Sequence, residues 1–205
     1  MFHDVQQNTD YWHELRAGKL TGSAIAKVMA NFGKAFGDPA KKLAVDIAVT
    51  QITGKSFSDG YTSAHMERGH EQEPLARIEY EAQYFCDVTN GGFFDNGFTG
   101  CSPDGLVDDG GVIEIKSVIP SVHYERIRNG KYDRTYHWQL VFNLKETGRD
   151  WIDFVSYCQA FTDEKKLIVF RLHSSDLQDE FKKIDQRVGE FRSLVDEIKN
   201  NIKEN

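Results

Sequence analysis

The 205-residue chain has few cysteines, few prolines and no long apolar run. Its three cysteines, Cys86, Cys101 and Cys158, are odd in number and far apart. They build neither a metal knuckle nor a disulfide framework, a usage that suits a reducing cytoplasm. The longest aliphatic–aromatic run, Leu167-Ile168-Val169-Phe170, falls far short of the roughly 20 residues that cross a bilayer. The start, Met1-Phe2-His3-Asp4, offers no basic stretch followed by an apolar one, so no secretory signal is read. Positive charge is scarce too: 25 Lys and Arg against 32 Asp and Glu leave a net −7. That argues against coating nucleic acid by general basicity, but it is compatible with an enzyme whose basic channel lies inside an acidic exterior. What is present, 40% hydrophobic and 28% charged residues, is ordinary globular composition. The length predicts one domain, 1–205, able to bury its core without disulfides.

The first third reads as helices. Thr9 or Asp10 caps a short helix through Arg16, with Gly18 placed to end it, and Ser23 stands as N-cap before Ala24–Met29. From Pro39 to Ile52, Leu43, Ala44, Ile47 and Ala48 share one face. Asn31–Asp38 and Thr53–Gly60 are glycine-bearing loops, either surface connections or DNA contacts. A long helix is expected from about Thr62 to Tyr84, with Pro74 marking a new start or a kink. The middle turns to β-branched and aromatic residues: strands over 85–94, 98–107 and 112–119, with Asp108-Asp109-Gly110-Gly111 as a hairpin turn. Helices over 121–128 and 133–145 precede two more strands, 151–157 and 166–172. Last comes one long helix whose seam runs Leu177, Phe181, Ile184, Val188, Phe191, Val195, Ile198 and Ile202. Such a seam lies across its own domain or forms a subunit contact.

Chemistry concentrates in Ser102-Pro103-Asp104-Gly105-Leu106 and, after the turn, Val112-Ile113-Glu114-Ile115-Lys116. Strand alternation puts Glu114 and Lys116 on one face and Ile113 and Ile115 on the other. The hairpin brings Asp104 beside Glu114, so two carboxylates and a lysine meet at one sheet edge. Hard oxygen ligands suit Mg²⁺, which binds through one or two carboxylates plus phosphate oxygens and water. A lysine beside it can orient or deprotonate a water and stabilise charge on phosphate. Separately, Arg16 across the Gly18 turn from Ser23 at a helix N-terminus is a pattern that could grip an anion.

These residues match the PD-(D/E)XK nuclease signature, and the chain resembles more closely the lambda-type phage exonucleases, or YqaJ-like viral recombinases. The likeness is carried by four motifs in the family's order: Trp12 through Ser23, Gly69-His70-Glu71-Gln72-Glu73-Pro74-Leu75-Ala76, Gly100 through Leu106, and Tyr136-His137-Trp138-Gln139-Leu140. The resemblance implies an α/β restriction-endonuclease-like core. A mixed sheet would be flanked by helices, with a helical N-terminal region and a long C-terminal helix.

It also implies a Mg²⁺-dependent exonuclease that digests one strand of double-stranded DNA from a 5′-phosphorylated end. Such an enzyme leaves a 3′ strand for a phage annealing protein. By position, Asp104, Glu114 and the Ile115 carbonyl would hold metal, and Glu73 a second ion directly or through water; Mn²⁺ could substitute. Lys116 would position the attacking water, Gln139 would fix that water or the scissile phosphate, and Arg16 with Ser23 would recognise the 5′-phosphate. A homotrimeric ring around DNA and the cytoplasm of a bacterial host complete what the family implies. Asp95 lies near another acidic position of the family, and Val141 stands where members often carry a second glutamine. Three other readings stay open: a structure-specific or restriction-like endonuclease on the same core, a non-catalytic DNA-end-binding protein, and a protein-interaction module using the C-terminal helical seam, which would leave the carboxylate cluster unexplained.

Overall fold

A computed structural model of the chain describes residues 1–55 and 64–204. The part of the Thr53–Gly60 loop beyond Lys55, and the expected helix start at Thr62, lie outside them. In order, the chain forms β1 (Phe2–His3), α1 (Asp10–Arg16), β2 (Leu20–Thr21), α2 (Ile25–Met29), α3 (Asp38–Thr53) and α4 (Ala64–Tyr84). There follow β3 (Val88–Thr89), β4 (Phe93–Asn96), β5 (Thr99–Cys101), β6 (Gly105–Val107) and β7 (Gly111–Ser117). The last third is α5 (Pro120–Asn129), α6 (His137–Thr147), β8 (Trp151–Tyr157), β9 (Leu167–His173) and α7 (Gln178–Glu204).

The central sheet is mixed, in the order β3-β6-β7-β8-β9. Here β7 and β8 are parallel, joined by the α5–α6 crossover, while β6 and β9 flank them antiparallel. β7 and β8 are covered on both faces and buried along most of their length, their polar residues Glu114, Asp153 and Ser156 included. One face packs on α4 through Ala76 and Tyr80; the other packs on the larger core shared by α2, α3, α6 and α7. α4 runs unbroken through Pro74.

A second sheet, β1-β4-β5-β2, was not legible beforehand. Both expected strands 85–94 and 98–107 divide between the two sheets, and each break has a physical cause. Gly92, at φ 53°, turns the first segment between β3 and β4. Gly91 lies so close to the Pro103 carbonyl that a Cβ would sit 1.8 Å from its oxygen. In the second segment Pro103 has no N–H for a ladder, so Ser102-Pro103-Asp104 leaves β5 and enters β6. The aspartate motif therefore sits where the sheets part.

One other expectation is corrected, and the first of the two readings of the C-terminal seam is borne out. Ser23 does not cap α2: the N-cap is Ala24, in helical conformation and without a side-chain bond, and exposed Ser23 lies 3.5 Å from the Thr21 hydroxyl. The C-terminal seam is used within the chain, since Ile184, Phe191 and Val195 are buried in the main core with Leu177, and Phe181, Val188 and Ile198 pack against it. Only Ile202 at its end stays exposed. The Asn31–Asp38 loop is likewise tethered: Phe36 packs edge-on against Phe191 and beneath the Arg187 guanidinium.

Candidate active site

The β6–β7 hairpin makes the site. Gly105 pairs with Ile113, and the Asp104 N–H continues the ladder to the Ile113 carbonyl at 3.1 Å. The Asp104 carboxylate then folds back, and its Oδ2 accepts the Ile115 N–H at 2.6 Å. Ile113 and Ile115 point into the α4-side core, as alternation requires. Glu114, on the opposite face, is 1% exposed and fully engaged: Oε1 accepts from Lys116 Nζ and Gln139 Nε2, both at 2.5 Å, and Oε2 from Asn143 Nδ2 at 2.9 Å.

Glu73, Asp104, Ile115 and Lys116 line one cleft of about 530 Å³, together with Tyr136 and Arg126. Glu73 arrives from the middle of α4, where Arg77, one turn on, pairs with it at 3.5 Å and also donates to the Asp104 carbonyl. Gln139 lies on the buried carboxylate rather than open to the cleft. Arg16 is held against the aspartate motif: its Nη1 donates to Ser102 Oγ at 3.2 Å, and its guanidinium stacks 4.0 Å from the Trp12 ring centroid. Trp12 Nε1 donates to the same hydroxyl at 2.8 Å.

Several contributors escaped the sequence reading. Asn143 is 1% exposed and follows Gln139 by one helical turn, so the i,i+4 amide pair on one face of α6 was the available signal. Gly22 explains part of the Trp12–Ser23 motif, because a Cβ there would stand 2.1 Å from Asn143 Oδ1. Val141 is fully buried core instead. Asp95 lies outside the site and pairs with Lys19 at 2.9 Å. His13 packs edge-on against Trp12, while the side chains of His65 and His70 lie outside what the structure describes.

Electrostatics tie the carboxylates together. Burial first, and then the Asp104 charge, push Glu73 and Glu114 each up to about 7, against the opposing pull of Lys116. Lys116 loses solvation, yet Glu114 and Asp104 outweigh that loss and raise its pKa, so it stays an ammonium. Burial lowers Arg16 to about 10, which leaves it cationic at neutral pH.

Among the described residues no three Asp, Glu, His or Cys side chains already enclose one point as a cage. The donor chemistry nevertheless fits Mg²⁺: the Asp104 charge raises the proton affinity of both Glu73 and Glu114, a repulsion that a divalent cation relieves. Mg²⁺ needs only one or two protein carboxylates beside water and phosphate oxygens.

Fold and site together define a PD-(D/E)XK core. Residues 11–150 match the YqaJ-like viral recombinase domain, and the chain belongs to that family. An alkaline exonuclease (LHK-Exo) from Laribacter hongkongensis is 30% identical, with a TM-score of 0.79 over 96% of this chain and 99% of that one. The same exonuclease in complex with dAMP gives a TM-score of 0.80 over the same shares, again at 30% identity. A phage-related exonuclease from Haemophilus somnus 129PT shares the fold at 16% identity, with a TM-score of 0.65 over 90% of this chain and 96% of that one. No curated protein sequence matches the chain.

Proposed function

We propose that the protein is a single-domain, Mg²⁺-dependent exonuclease. It degrades one strand of double-stranded DNA from a 5′-phosphorylated end to mononucleotides. The observation that carries this reading is the cleft itself: Glu73, Asp104, Ile115 and Lys116 line it together, with Glu114 in contact with Lys116. Its relatives named exonucleases, one of them bound to dAMP, support a DNA substrate.

Asp104, Glu114 and the Ile115 carbonyl would hold one Mg²⁺, and Glu73 a second. Held by these residues, a metal would supply charge neutralisation at the scissile phosphate and an activated water. Lys116, kept protonated by its carboxylate neighbours in the metal-free protein, donates hydrogen bonds that position water and phosphate. Gln139 and Asn143 fix Glu114, which sets the direction of that carboxylate.

Arg16 supplies the 5′-phosphate anchor, with Ser23 as a hydroxyl partner reached from the Gly22 turn. Direction along DNA requires such an anchor, because a metal site alone hydrolyses phosphodiesters from either end. The 3′ strand left behind serves a phage annealing protein in the bacterial cytoplasm. A homotrimeric ring reconciles net −7 with DNA binding by gathering basic groups in its channel. Since α7 spends its seam inside the chain, the ring interface comes from other surfaces.

Linear 5′-phosphorylated duplex, nicked circles and supercoiled circles, each incubated with Mg²⁺, separate the readings on one gel. Loss of the linear duplex alone is expected. Cutting of closed circles supports the endonuclease, and binding of ends without loss of any substrate supports a non-catalytic binder.

A further inference from the structure

The cleft's most unusual cation is one that the nuclease chemistry does not use. Arg126, on α5, is only 4% exposed, yet among the described residues it has no carboxylate in ion-pair contact. Its Nη1 donates to Ser156 Oγ at 2.8 Å, and its Nε–H is buried without an acceptor. The guanidinium carbon lies 4.9 Å from the Phe154 ring centroid and 5.9 Å from that of Tyr136. A buried, uncompensated arginine is costly unless something supplies the opposite charge.

Its orientation is over-determined. His123, fully buried, places Nε2 2.8 Å from the Lys165 carbonyl, an acceptor only, so Nε2 carries the proton and Nδ1 is left to accept. Ser156 Oγ, 2.9 Å from Nδ1, therefore donates to His123 and is free to accept from Arg126. The chain runs one way, from Arg126 through Ser156 and His123 to the Lys165 carbonyl, and it fixes the guanidinium rather than neutralising it. Arg126 also stands at a junction, lining both the carboxylate cleft and an adjoining cleft of about 510 Å³ that contains Lys131 and Arg134.

We infer that Arg126 is a phosphate-binding residue: the substrate strand leaves the carboxylates across Arg126, which takes the phosphate next to the one being cleaved, and enters the Lys131–Arg134 cleft. This inference rests on the nuclease reading for the identity of the strand. The anion-binding claim stands on Arg126 itself. Asp133, which lines both clefts, and Glu125, which lines the second, are the carboxylates that the strand must pass close to this arginine.

The test is the affinity of a 5′-phosphorylated duplex in excess chelator, so that nothing is cut. It is followed by fluorescence anisotropy across a KCl series for wild type, Arg126→Gln and Arg126→Lys. Circular dichroism establishes that each variant is folded. Arg126→Gln is expected to lose roughly 10- to 150-fold in affinity at low salt, the range of one charge-assisted contact. Its log–log salt slope should fall by about 0.7–0.9, the value of one phosphate contact. Arg126→Lys should restore most of the slope.

A purely structural arginine predicts otherwise. A folded Arg126→Gln with wild-type affinity and slope overturns the inference, and so does a loss of affinity with no change of slope. If Arg126→Gln does not fold, Ser156→Ala takes its place. It keeps the charge but frees the guanidinium, so affinity should fall at an unchanged slope, and wild-type affinity overturns the inference. Failure of wild type to digest this duplex with Mg²⁺ overturns the nuclease reading alone. Failure of wild type to bind it at all overturns both.

Discussion

The Ile115 N–H donates to the Asp104 carboxylate at 2.6 Å, across the hairpin that links the two halves of the acidic motif. One Asp104 oxygen is thereby fixed by backbone, so the carboxylate is held in one direction. A single β-hairpin thus sets the backbone positions of Asp104, Glu114 and Lys116, while Gln139 and Asn143 of α6 fix the Glu114 carboxylate.

Asp104→Asn keeps an oxygen that can accept the Ile115 N–H but removes the charge. The variant should fold with an unchanged melting temperature in chelator, still bind DNA ends, and show no cleavage. Calorimetric titration with Mg²⁺ and a digestion assay check it; wild-type turnover would remove Asp104 from the metal set.

Asn143 is a positioning residue for Glu114. Asn143→Ala leaves Glu114 Oε2 buried without its donor, a loss of about 1.5–3 kcal/mol for a hydrogen bond to a charged group. Outer partners of metal ligands typically contribute 10- to 100-fold in metal affinity, so the Mg²⁺ concentration for half-maximal rate should rise by that order. Gly22→Ala, which pushes against Asn143 Oδ1, should move the same constant in the same direction. An unchanged Mg²⁺ dependence in both variants would show that Glu114 needs no such support.

The pH dependence follows from the two glutamates lifted to about 7. Metal binding needs their charged forms, so activity should fall as pH drops through 7 and recover with excess Mg²⁺. Stability of the metal-free protein has the opposite sign. Groups whose folded pKa lies above the unfolded value of about 4.3 stabilise the fold below that value, and the contribution is lost as pH rises through 7. Mg²⁺ should therefore raise the melting temperature more at pH 8 than at pH 6. Equal increments at both would contradict the shared acidic cluster.

Arg16→Ala should remove most of any preference for a 5′-phosphate over a 5′-hydroxyl end, roughly 10- to 150-fold in rate. Lys116→Ala should slow both substrates alike. Initial rates on two otherwise identical duplexes decide it, and a preference retained by Arg16→Ala would move the anchor elsewhere.

The acidic motif was legible in the sequence because hairpin turns and strand alternation are local rules: Asp108–Gly111 had to reverse the chain, and Glu114 and Lys116 had to share a face. Helix α3 and the C-terminal seam were legible for the same reason, through periodicity. The division of strands between two sheets was not. It depends on Gly91 meeting the Pro103 carbonyl, a contact between residues that no periodicity links. Ser23 misled because a serine before an apolar run usually caps, whereas here β2 ends in a turn that hands the helix start to Ala24. Asn143 and Arg126 were hidden because burial of a polar side chain is a tertiary fact; neither residue type announces it.

The central claim is directional, metal-dependent removal of nucleotides from a 5′-phosphorylated end. It is tested most directly with a blunt duplex carrying one label on its 5′-phosphate or, in a parallel sample, at the 3′ end of the same strand, digested with Mg²⁺. The account predicts that the 5′ label is released first as a mononucleotide while the 3′-labelled strand shortens progressively, and that chelator stops both. Release of the 3′ label first, or labelled fragments from internal cuts, would contradict it.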